Sequence, residues 1–202
     1  VVLIKANRNT SKVWYASAYD PNAGENKKPD CYSVDGKTPA ADSEAKQATS
    51  CAVCPHNQWG SKVNDKGVAT KGKSCQDTVR IAVAPGGQLN DPMLLRVPPA
   101  SIKGLGEYGQ MLAKRGVAYS AVLTRVGFDV EAESPKLTFK PIGFLSAEDF
   151  AQVQETAESD TVENIIGAAG LLASVAPEGD APAPKAEPEE AAPAPAPAQR
   201  AP

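Results

Sequence analysis

The sequence predicts a mainly β, α+β protein, and three observations carry that expectation. Short runs of aliphatic, β-branched and aromatic residues recur over the first 145 residues, separated by Gly, Pro, Asn and Asp. Helical spacing of apolar residues occurs once inside that region and again after residue 146. Strands and helices do not alternate regularly, which argues against a doubly wound parallel sheet.

The elements follow in order. VVLIKA opens the chain as a buried strand. SKVWYASAY, residues 11–19, reads as a second strand with Val13, Tyr15, Ser17 and Tyr19 on one face and Trp14, Ala16 and Ala18 on the other. DPNAG ends it, and a polar block over about residues 20–77 looks like an insertion. TVRIAVAP puts Val79, Ile81 and Val83 on one face, PGGQLND turns the chain, and MLLRVPP is a short strand stopped by prolines. Ser101 is expected to cap a helix to about Arg115, with Leu105, Tyr108, Leu112 and Met111 inward. AYSAVLTRVGFDVEAE and SPKLTFKPIGFL form a hairpin turned at Ser134-Pro135. Ser146 caps SAEDFAQVQETA, and Asp160 with Glu163 opens DTVENIIGAAGLLASV by a capping-box pattern.

Six strands with one helix between the fourth and fifth predict a small, partly open β-barrel of the OB type, carrying a loop insertion and C-terminal helices. The domain reading is a core over 1–145 with the insertion at about 20–77, acidic helices over 146–176, and a tail over 177–202. That tail is almost wholly Ala, Pro and Glu, too poor in large apolar residues to offset its ordering entropy, and is expected to be disordered.

Charge is distributed unevenly. Residues 1–80 hold twelve Lys/Arg against eight Asp/Glu, residues 81–145 seven against five, and residues 146–202 two against eleven. A mildly basic body with an acidic C-terminal region follows; that region either competes with a polyanion, recruits basic partners, or only keeps the chain soluble. No stretch approaches the roughly 20 apolar residues of a membrane span, and no secretory leader is visible. A soluble protein of the cytoplasm is expected.

Cys31, Cys51, Cys54 and Cys75 are the only cysteines, and all lie in the polar block. A polar loop of that length needs a tie. A redox pair wants C-x-x-C between a strand and a helix, which the flanking loop residues do not offer. Two disulfides suit a secreted chain. A structural Zn²⁺ held by the four thiolates fits best, with Cys51 and Cys54 as the knuckle and no open position for catalysis. His56 either replaces one thiolate or stands beside the knuckle. Trp59 either packs over the knuckle or faces a groove near Asn57, Lys62, Lys66, Lys71 and Lys73.

Enzyme signatures are missing. There is no P-loop, dinucleotide glycine pattern, HExxH or G-x-S-x-G, and the single histidine leaves little for acid–base work. Single-strand binding needs cations along a backbone track and aromatic faces for bases. Lys5, Arg8, Lys12, Trp14, Tyr15 and Tyr19 cluster on the first two strands; Arg80, Arg96 and Arg125 sit within later strands; Trp59 and the four lysines of GSKVNDKGVATKGK complete the candidate DNA-binding set. The plain alternative is that the aromatics fill the barrel.

Cys31, the run CAVCPHNQWGS from Cys51 to Ser61, and GKSC ending at Cys75 together resemble the zinc-containing, helix-destabilising class of bacteriophage single-stranded DNA-binding proteins. RVPPASIKGLGEYGQML and SAVLTRVGF extend the resemblance over about residues 10–150. It implies an OB-type fold, a structural zinc, sequence-independent single-strand binding in DNA replication, recombination or repair, the host cytoplasm as location, and an acidic C-terminal region that contacts replication proteins. The chain departs from the class in its Ala/Pro-rich tail ending QRAP and in offering four cysteines where the best-known member uses a histidine. The rival expectations are a zinc-stabilised structural or interaction module without nucleic-acid binding, and a phage nuclease or recombination enzyme.

Overall fold

The computed structural model describes residues 1–17, 28–64, 66–132 and 136–174. Its architecture is mixed α+β, built on an open, antiparallel seven-stranded sheet. The pivot is β4 (Gln76–Ala84), whose alternating aliphatic residues can be buried on both faces. Along one edge of it run β1 (Val2–Ala6) and then β2 (Ser11–Trp14), with Leu3 opposite Val83, Ala6 opposite Ile81 and Val13 opposite Gln76. The other edge takes β5 (Met93–Val97), and β3 (Cys31–Ser33) adds to the far side of β2. Helix α1 (Pro99–Ala113) connects β5 to the hairpin of β6 (Val122–Phe128) and β7 (Leu137–Phe144), which returns beside β1 through Val2 and Leu123. Helices α2 (Ala147–Ala157), α3 (Asp160–Ile166) and α4 (Ala168–Ser174) close the described chain.

Period-two alternation sorts the sheet into two cores. Leu3, Val79, Ile81, Val83, Val97 and Val122 pack on Tyr108 and Leu112 of α1. Val2, Ile4, Ala82 and Ala84 face the other way, onto Val153 of α2 and Val162 of α3. A third cluster joins Val13 and Tyr32 to Leu171 of α4. The sheet is therefore the middle of three layers. The inward face expected of the α1 helix and the facing of Val79, Ile81 and Val83 match this packing, and Ser146 caps α2 by accepting from the Asp149 amide at 3.1 Å.

Several elements differ from the sequence reading. The described residues form seven strands, because Cys31–Ser33 joins β2, tied by ladder bonds and by the buried Tyr32. β2 stops at Trp14, where its pairing with β3 and β4 ends; the expected continuation to Tyr19 runs partly outside the described residues. Ser101 is not a cap. Pro99 starts α1 at the position where a missing N–H is harmless, and Ser101 Oγ instead accepts from the Leu137 amide at 2.7 Å, joining α1 to β7. The expected acidic helix is split at Gly167, and its N-cap is Ser159 rather than Asp160. A Cβ on Gly170 would overlap the Ile165 carbonyl, so only glycine lets α4 close onto α3 there. The Ser134-Pro135 turn and the tail over 177–202 lie outside the described residues.

Arg80 is fully buried at the centre of β4. Its guanidinium donates to the carbonyls of Gly167 at 2.9 Å and Ile166 at 2.6 Å, and to Ser11 Oγ at 3.1 Å. Burial pulls its pKa down to about 10, which still leaves it charged at neutral pH. Arg80→Ala orphans two helix-end carbonyls and is expected to cost about 2–3 kcal/mol. Urea denaturation measures the loss, and limited proteolysis should show α3 and α4 cut first.

Candidate nucleic-acid interface and cysteine cavity

The cysteine block is organised around one small cavity. Cys31, Cys51, Cys54 and Cys75 all line it, together with Lys12, Trp14, Tyr32 and Asn57, and its volume is ≈ 20 Å³, room for one water-sized body. The four are free thiols. Burial pushes Cys51 up and Cys75 up to about 12. Among the described residues, no group of three or more His, Cys, Asp or Glu side chains stands ready as a metal shell. All four cysteines line the same cavity, and thiolates are donors that thiophilic ions prefer.

The residues after Cys54 in the motif order the block. Pro55 opens a single 3₁₀ turn, Pro55–Asn57. The His56 ring stacks on Trp14 with centroids 4.3 Å apart, and its Nε2 meets Gln47 Oε1 at 3.2 Å. His56 is not among the cavity-lining residues. Asn57 Nδ2 donates to the Cys51 carbonyl at 2.7 Å, while Asn57 Oδ1 accepts from Lys12 at 3.0 Å and Lys73 at 3.2 Å. Both lysines also reach Asp77, each at 2.5 Å. Burial pushes the Asp77 carboxyl up, but hydrogen bonds from Lys12 and Lys73 outweigh it and hold the group below its ordinary value. Gly60 turns the chain at φ +90°, and Ser61 Oγ donates to the His56 carbonyl.

Trp59 emerges from this support 79% exposed, with Lys73 Nζ 5.4 Å from its ring centroid. Beside it stands a small hairpin. The Gly60 and Lys62 amides bond the Gly72 carbonyl, Thr70 N bonds Lys62 O at 2.7 Å, and Val63 pairs with Ala69. Lys62, Lys66 and Lys71 are exposed on it, as are Val63 and Val68. An exposed tryptophan flanked by cations is unusual for a packed miniature core.

The fold separates the rest of the predicted DNA-binding set. Trp59, Lys62, Lys66, Lys71 and Lys73 come together. Arg8 is exposed in the turn between β1 and β2, and Arg125 is exposed on β6. Trp14 is half-buried between the cavity and His56, so it belongs to the block's interior. Tyr15 packs against the third cluster, where burial raises its hydroxyl pKa and the nearby Arg96 charge opposes that rise. Arg96 is half-buried, opposite Arg80 in register. Two of the candidates are engaged within the fold. Arg80 is consumed as described above, and Lys5 Nζ is held by the Ala157 carbonyl at 3.1 Å and by Glu163 at 2.6 Å. Tyr19 lies outside the described residues.

Sequence reasoning missed Asp77, whose i,i+4 spacing from Lys73 was the available signal, and Lys140, which stands opposite Arg125. It also missed the exposure of Phe128, Ile142 and Phe144, the last at 73%. Among the described residues, no helix is long and apolar enough to cross a membrane. Comparison with family models, curated proteins and solved structures gives no match for this chain.

Asp35 is a second carboxylate held low, at about 2, by the amides of Lys37 and Thr38. Both Asp35 and Asp77 bind protons more weakly in the fold than in the unfolded chain. The stabilisation from each is present above about pH 4 and is lost as pH falls through its lowered pKa, about 2 for Asp35. Asp77→Asn should lower Tm at pH 7 and converge on the wild-type Tm near the acid end. Thermal melts across that range check it.

Proposed function

We propose that this protein coats single-stranded DNA without reading its sequence, on an OB-type scaffold whose cysteine block is ordered by a structural Zn²⁺. The observation that carries the reading is Trp59, an exposed ring set between Lys73 and a lysine-bearing hairpin. One face of the ring meets the ammonium and the other is available to a base, while Lys62, Lys66 and Lys71 meet phosphates. Stacking needs only a π-face, so the arrangement tolerates any base.

The scaffold reading rests on connectivity. If β1 and β2 are taken as one interrupted strand, the order is a three-stranded meander, a linking helix, then a hairpin whose first strand returns beside the first, as OB barrels are wired. The zinc reading rests on four thiols around one cavity. Cys31, Cys51, Cys54 and Cys75 would hold the ion, which would supply the folding free energy that the block's sparse apolar content lacks. Phage DNA replication, recombination or repair in the host cytoplasm is the setting the motif suggests, with replication proteins meeting the acidic C-terminal region.

A second reading is favoured by exposed Phe128, Ile142 and Phe144, which suit a zinc-stabilised protein-docking module. Anisotropy of labelled oligo-dT against an equal-length duplex, at low and moderate salt, separates the two. The DNA reading expects tight, salt-sensitive binding to the single strand alone, weakened by about 1–3 kcal/mol in Trp59→Ala. Absence of binding at low salt leaves the docking module. Cys51→Ser is expected to abolish stoichiometric zinc by atomic emission; full retention overturns the ligand set.

A further inference from the structure

We infer that Arg125 and Lys140, with Thr138 and the bare backbone at Gly127, form a seat for one phosphate of the bound strand's backbone, remote in sequence from the Trp59 hairpin. The inference rests on the single-strand reading above. Its starting point is a pairing that sheets ordinarily avoid. Arg125 and Lys140 are directly opposite on the β6–β7 ladder, so their side chains leave the same face side by side. Like charges so placed repel, and both residues are exposed. Among the described residues, neither has a carboxylate partner, and Asp129 at the hairpin end is held by Lys136 at 3.0 Å.

The neighbouring rows shape the site. Toward the hairpin end, Gly127 pairs with Thr138, offering a hydroxyl donor beside a position with no side chain. On the other side, Leu123 pairs with Gly143 and turns into the core under α2 and α3. The result is a cationic row with a low, polar floor on one side and an apolar wall on the other. Arginine presents a planar fork that matches two phosphate oxygens, and lysine adds a point charge. An anion between them would convert the repulsion into two attractions. A phosphodiester backbone supplies that anion without any demand on sequence.

The test is the salt dependence of oligo-dT binding. For single strands each phosphate contact contributes a log–log slope of about 0.7. The double variant Arg125→Gln with Lys140→Gln should therefore bind with a slope shallower by about 0.7 and melt at or above the wild-type temperature. Lys140→Arg should keep the wild-type slope. Lys140→Glu gives Arg125 a cross-strand partner, so it should melt higher yet lose affinity; this variant keeps the proposal falsifiable should the double variant fold poorly. A well-folded Lys140→Glu that binds like wild type overturns the seat and leaves the single-strand reading standing. A wild-type protein that does not bind oligo-dT overturns both.

Discussion

The guanidinium of Arg80 is buried in the middle of β4, and its fork is spent on the end of α3 and on Ser11. The layering of the protein depends on this contact. β4 is the strand that β1, β2 and β5 all share, so a group anchored there bears on the centre of the sheet. The partial negative charge at the end of a helix is matched by a cation, which makes the α3–α4 break a defined feature rather than a fray. Lys5 repeats the device one strand away, on the final carbonyl of α2 and the Glu163 carboxylate. Among the described residues Nε of Arg80 has no partner, so the guanidinium is not fully satisfied.

The cysteine block is built on the opposite logic. It has few apolar residues, and its order comes from a chain of polar contacts that begins at the knuckle. Asn57 bonds the Cys51 carbonyl and receives Lys12 and Lys73. Asp77 draws the same two lysines onto the start of β4, and Lys73 reaches the face of Trp59. A change at the thiols would therefore be felt at the ring through four residues. On the proposed reading, the ion and the nucleic-acid platform are coupled parts of one structure, and removing the first should loosen the second.

What could be read from the sequence was what local chemistry decides. Val79, Ile81 and Val83 declared their face by alternation, Leu105, Tyr108 and Leu112 by helical spacing, and Ser146 by its place before Ala147. What could not be read was fixed across long separations. Lys5 meets Glu163 across 158 positions, and Arg80 meets Gly167 across 87. A cation in a strand looks the same on paper whether it faces a groove or a helix end, so Arg80 and Arg125 were given one role and have two environments. Three residues at Cys31–Ser33 carry too little pattern to announce a strand, and their pairing is decided by β2. Ser101 misled because a serine before an apolar run is a good cap only when no proline has already started the helix.

Charge placement ties these parts together. Over residues 147–174 the helices carry Glu148, Asp149, Glu155, Glu158, Asp160 and Glu163 and no lysine or arginine. They lie on the sheet face formed by Val2, Ile4, Ala82 and Ala84. A polyanion is thus repelled from the outer face of β1 and β4, where Lys5 and Arg80 are already engaged. The exposed cations away from this layer include those of the Lys62–Lys71 hairpin and of the Arg125–Lys140 row. On the proposed function, the acidic layer selects the route by exclusion: it covers the middle of the sheet and leaves binding to its two ends.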